Sequence, residues 1–259
     1  MKLSCVTASY VADLLGYPGC IDWGLAARMI EAQPLLETLE GMLRRLAPAH
    51  LDGIELWYPH ASPRVLTPAL ASAVRRRLSE LGMACCAYAS GIADPSHDAH
   101  AAEETFQAAR LLGAPLIAAH VAHEVVPRVG YLCSAYGIGV GFENGPESSA
   151  GDIMTAIMSA GPLVGANLDT GNLAARGGDP VAAVRELGDR IVHVHFKDVP
   201  AVESHDCVAL GEGIVDVKGV VRELKAIGYD GWLSIEVETA DRDPTDEIIA
   251  SARTLRALW

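Results

Sequence analysis

No CxxC pair occurs among the six cysteines, which fall at positions 5, 20, 85, 86, 133 and 207. Without paired or regular spacing, neither a zinc knuckle nor a disulfide framework is expected, and reduced thiols in the cytoplasm fit better. Basic residues are also scarce. Twenty Lys and Arg against 33 Asp and Glu leave a formal net charge of -13. That balance argues against a nucleic-acid partner, because binding a phosphate backbone relies largely on Lys and Arg. The triple arginine at 75–77 sits inside a helical pattern and reads as a solvated face. No apolar run reaches the roughly eighteen residues of a membrane span. Ser4, Thr7, Ser9 and Asp13 interrupt the start of the chain, so no signal peptide is expected. No Gly-rich phosphate loop or tight Lys/Arg cluster marks the later strands, which favours an unphosphorylated ligand. No linker or low-complexity tract divides the sequence, and a single domain over residues 1–259 is expected.

What the chain has is alternation. Half of its residues are apolar, and short apolar runs alternate with helical patterns from end to end. Strands are predicted near 2–8, 52–57, 84–89, 115–120, 138–143, 163–169, 191–196 and 232–237. "TPALASAVRRRLSELG" predicts a helix: Thr67 caps it, Pro68 suits its first turn, Leu70, Val74, Leu78 and Leu81 share a face, and Gly82 ends it. "DVKGVVRELKAIG" repeats that grammar from Asp216 to Gly228, and a last helix covers about 244–258. Eight strand–helix units imply a parallel sheet, since a parallel neighbour needs a crossover. Their number predicts a (β/α)8 TIM barrel over an open doubly wound sheet.

"VHVHFKD", residues 192–198, places two imidazoles and an ammonium on one face of an otherwise apolar strand. In a barrel, one strand face meets the helices and the other points inward. The helix-facing set is apolar throughout: Ile54 and Leu56; Ile117 and Ala119; Ile138, Val140 and Phe142; Val164, Ala166 and Leu168; Val192 and Val194; Leu233, Ile235 and Val237. The inward set ends, strand by strand, in Glu55, His120, Glu143, Asp169, His195 and Glu236. Barrel enzymes build their sites at that carboxyl end. Three carboxylates and an imidazole crowded together repel one another unless a cation joins them. One divalent metal ion is therefore expected. Oxygen-rich ligation favours Mn²⁺, Mg²⁺ or Co²⁺, and Zn²⁺ is the lesser fit. Gly139 and Gly141, below Glu143, leave room for neighbouring side chains or a ligand.

The motifs "GFENGP", "NLDTGN", "VHVHFKD" and "GYDGWLSIEVE", with "LDGIELW" earlier, resemble strands of the xylose isomerase-like TIM barrels. That group holds sugar isomerases and epimerases, inosose and dehydroshikimate dehydratases, and endonuclease IV. The resemblance implies metal ligands at Glu143, Asp169, His195 and Glu236, the same four positions the inward ring picks out. It also implies a sugar or polyol ketone substrate, an enediolate, and proton transfer by Glu143 and Glu236. The family's habits imply a homo-oligomer. Glu55, Trp57, His120, Asn172 and Lys197 are candidate substrate contacts. For Glu55 a structural bond to a neighbouring strand competes with that role, and for Lys197 a solvated surface position does. His193 reads as a hydrogen-bonded core residue and Asp198 as structural. His97, His100 and His123 read as solvated.

The chain departs from family patterns. Asn172 stands where many members carry a histidine, and an amide cannot shuttle protons at neutral pH. Ser149 and Ala201 replace the glutamate and arginine of the ketose 3-epimerase branch, which argues against a ketohexose epimerase. Strand three, "ACCAYAS", lacks the histidine that endonuclease IV needs. The expected activity is a metal-dependent isomerase or epimerase, with a metal-dependent dehydratase or a non-catalytic sugar-binding barrel as alternatives.

Overall fold

The computed structural model describes residues 1–259. Eight parallel strands form one sheet: β1 (Lys2–Cys5), β2 (Gly53–Trp57), β3 (Ala84–Ala89), β4 (Leu116–Ala119), β5 (Gly139–Glu143), β6 (Val164–Asp169), β7 (Ile191–Phe196) and β8 (Trp232–Ile235). Their order is β1-β8-β7-β6-β5-β4-β3-β2. β1 and β2 close the ring through a Val6–Glu55 bridge and an Asp52 N–H donated to Leu3 O at 2.8 Å. The helices are α1 (Trp23–Glu31), α2 (Leu35–Leu46), α3 (Pro68–Glu80), α4 (Ala99–Leu112), α5 (Val126–Tyr136), α6 (Ala150–Ile157), α7 (Thr170–Ala175), α8 (Pro180–Leu187), α9 (Val217–Ala226) and α10 (Thr245–Leu258). This is a single (β/α)8 barrel. No helix is long and apolar enough to cross a membrane.

Local chemistry sets the helix ends. Asp22, Thr67, Asp98, Ser149, Asp169, Asp179 and Asp216 each accept a backbone N–H of the helix they precede. Such a cap stabilises a helix by about 1 kcal/mol. Ser149, where the ketose 3-epimerase branch carries a glutamate, is one of these caps. In α3, Ala71, Val74 and Leu78 are buried, but Leu81 falls at the C-cap and is 44% exposed rather than on the packed face.

The helix-facing residues are buried as a set, with one correction. Val192 does not join Val194 against the helices. The pairing slips between Ala166 and Asn167, so that Ala166 lies beside Ile191 and Asn167 beside His193. The extra residue reverses the alternation below it. Ile191 takes the buried outer position, and Val192 turns into the lower barrel. There a Cβ on Gly165 would collide with its Cγ1, and one on Gly141 would stand 3.0 Å from Asn167 Cβ and 3.5 Å from Val192 Cγ2. The space above Gly141 is thus taken by neighbouring side chains.

Candidate active site

Four strand ends build the centre. Glu143 closes β5, Asp169 closes β6, and His195 lies near the end of β7. Glu236 follows β8, where its N–H still donates to Phe196 O at 3.2 Å and continues the ladder. One donor atom from each of the four lies within 4.8 Å of the others. All four residues are buried. His195 Nδ1 stands 3.0 Å from Glu236 Oε2 and 3.4 Å from Glu143 Oε1. Asp169 divides its carboxylate: Oδ1 accepts the Asn172 N–H at 2.8 Å and caps α7, while Oδ2 finds no hydrogen bond. His195 Nδ1 and Glu236 Oε2 are likewise buried without an aligned partner. Unpaired buried polar atoms cost about 1–3 kcal/mol each. Three orphaned donors among three carboxylates and one imidazole fit a divalent cation.

The electrostatics show the same crowding. Burial pushes the Asp169 carboxyl up to about 7, with Lys197 opposing and Glu236 and Glu143 adding to the rise. Burial would also raise Glu143, but His195 and His120 hold it well below the usual carboxylate range. Burial likewise works against Glu236, where Lys197 and His195 prevail and lower it. Glu143, at 3.1 Å, raises His120 to about 9.

A family model for the xylose isomerase-like TIM barrel matches residues 43–258. The chain belongs to that family. Among xylose isomerase-like proteins, an inosose dehydratase of Lactiplantibacillus plantarum is 36% identical over 99 residues, covering 32% of this chain and 32% of that protein. The chain thus matches about a third of that relative's length. The structure of the probable 3-DHS dehydratase AsbF of Bacillus anthracis superposes with a TM-score of 0.75 at 17% identity, over 99% of both chains. An L-ribulose 3-epimerase gives 0.69 at 20% identity, over 99% of this chain and 93% of that one. At these identities the two superpositions bear on the fold alone.

In this xylose isomerase-like barrel Glu143, His195 and Glu236 floor a cavity of about 480 Å³, and Asp169 is wholly buried beside them. Trp57, His120, Asn172 and Lys197 line the cavity. Glu55 does not: it is wholly buried one layer below, where its two oxygens meet Nε2 of His193 (2.8 Å) and Nε2 of His195 (3.0 Å). It therefore belongs beneath the site instead of among the substrate-facing groups, and His193 is the hydrogen-bonded core residue expected. Lys197 is no surface lysine. Gly171 has no Cβ to block its stem, and its Nζ lies 2.7 Å from Glu238, 3.8 Å from Asp169 and 3.8 Å from Glu236. Burial pushes Glu238 up to about 8, against the pull of Lys197.

Asp198 is structural, as expected: its oxygens accept the N–H groups of Val199, Gly211, Gly213 and Val215 and fold the β7–α9 loop. His97, His100 and His123 are all exposed, as expected, and His123 also bonds the buried Glu147 at 2.5 Å. Trp23, Tyr58 and Glu238 also line the cavity, and the sequence reading missed them. Glu238 carried a signal, the shared parity with Glu236 in "IEVE". Trp23 carried none, because it opens α1 only after a long connection from β1, and it meets Trp57 edge-on at 5.6 Å.

Proposed function

We propose that this barrel is a metal-dependent isomerase or epimerase of a small sugar or polyol ketone, working through an enediolate. The convergence of Glu143, Asp169, His195 and Glu236 within 4.8 Å supports this reading. These four residues would hold one divalent cation, Mn²⁺, Mg²⁺ or Co²⁺ by its oxygen-rich donors. When bound, the cation supplies Lewis-acid polarisation of a carbonyl and its neighbouring hydroxyl. Glu143 ends β5 and Glu236 follows β8, and both are held below their ordinary values, which favours the ionised form a base requires. Glu236 would take the proton from carbon, and Glu143, given a proton by the His120 Nε2–H 3.1 Å away, would return one from its own side. His120, which the Glu143 carboxylate pushes up to about 9, lines the cavity where it would donate to a substrate oxygen. Asn172 and Lys197 donate to further hydroxyls. Trp57 and Trp23 cover the apolar face of the substrate and keep water away.

A second reading, a metal-dependent dehydratase, draws on the partial match to an inosose dehydratase. It shares the first proton abstraction and differs in expelling a hydroxyl, with Lys197 as the nearest ammonium donor. Incubating the Mn²⁺-loaded protein with ketoses and inososes in D₂O separates the two. Deuterium at carbon without loss of water supports isomerisation or epimerisation, and loss of water supports dehydration. A protein that binds no cation, or exchanges no carbon-bound hydrogen with any such substrate, contradicts both.

A further inference from the structure

His195 carries its two ring nitrogens into different surroundings. Nδ1 faces Glu236 and Glu143 at the cavity floor. Nε2 points down the barrel to Glu55 Oε1 at 3.0 Å, across 140 positions of sequence. The other oxygen of Glu55 meets Nε2 of His193 at 2.8 Å. An ionised carboxylate can only accept, so both imidazoles present Nε2–H to it. The opposite tautomer of His195 would set a nitrogen lone pair against Glu55 and aim a hydrogen into the cluster of donors. A metal ligand needs its lone pair on the side of the cation, and the hydrogen bond on the far nitrogen decides which side that is.

We propose that Glu55 is the positioning residue of the cation site. It fixes His195 in the Nε2–H tautomer and in the ring orientation that offers Nδ1 as ligand. His193 completes the device by bonding the second oxygen and holding the carboxylate in place. The backbone is built for this. β2 slips its pairing with β3 between Ile54 and Glu55, and β7 slips against β6 just below His193. Such bulges re-aim side chains near functional sites. Glu55 itself has no access to the cavity and touches no substrate.

The inference rests on the proposed cation site, and the test separates the two. Mn²⁺ titration of the wild-type protein checks the site itself; no binding there sinks both ideas. With binding established, Glu55→Gln is titrated in parallel. We expect its dissociation constant to rise about 10–100-fold while circular dichroism of the cation-free protein stays native. A purely structural Glu55 would lower the melting temperature and leave the affinity of the folded protein unchanged, and that result overturns the proposal. If Glu55→Gln does not fold, ¹⁵N-histidine NMR of the wild-type protein loaded with diamagnetic Zn²⁺ decides. Hydrogen on Nε2 of His195 with Nδ1 coordinated to the cation supports the proposal, and hydrogen on Nδ1 defeats it.

Discussion

Glu143 meets His120, His195 and Asn167 with its two oxygens, which makes it the most heavily engaged carboxylate at the cavity floor. Glu143→Gln removes a proposed proton-transfer group while keeping the shape, and kcat is expected to fall about 10²–10⁴-fold. Loss of carbon-bound deuterium exchange in D₂O checks it. A different residue contributes to the loss of stability in acid. His60 is buried with Nδ1 unpartnered, and burial lowers it from 6.5 to about 4, with Asp13 weakly opposing. The unfolded chain therefore takes up this proton first. The contribution of His60 is complete above pH 6.5 and is lost as pH falls towards 4. It amounts to about 3 kcal/mol at about 1.4 kcal/mol per unit. Urea melts of the wild type and His60→Gln are expected to differ in slope across that window and run parallel above it. The sequence exposed the polar tips of six strands, because side-chain parity on a strand is local. It did not expose the depth of Glu55, since being under a floor depends on which strand lies across the barrel.

Helices and loops show a similar division. Thr67 and Asp216 were readable as caps because an N-cap involves only the next three residues. Asp216→Ala should cost about 1 kcal/mol, seen as a lower midpoint in thermal unfolding. Asp198→Ala should cost more, about 4 kcal/mol, because four backbone N–H groups lose their acceptor at about 1 kcal/mol each. Its unfolding midpoint should lie below that of Asp216→Ala, and the reverse order would contradict the role given to Asp198. That role was visible only as parity. The loop residues that Asp198 gathers lie up to 17 positions away, with no periodic pattern between. The misplacement of Val192 has the same origin. A slip of register belongs to two strands at once, and the sequence of β7 alone carries no mark of it.

For the whole molecule, the cation should act as a clasp. Glu143, Asp169, His195 and Glu236 come from four separate strands, so an ion bound to the native form and not to the unfolded chain shifts the equilibrium by mass action. At 100 times the dissociation constant of Mn²⁺ the gain is about 2.7 kcal/mol. The melting temperature should rise by about 2–4 °C per kcal/mol, and EDTA should reverse it; an unchanged midpoint with saturating Mn²⁺ would contradict a shared ion. The sequence by itself determined the strand–helix repeat, the apolar outer face and the polar strand tips, all of which follow from periodicity along a few residues. Tertiary structure decided which tips share one point, which lie beneath it, and that Trp23, Tyr58 and Glu238 join the wall. Those are distances between segments remote in the chain, and only closure of the barrel fixes them.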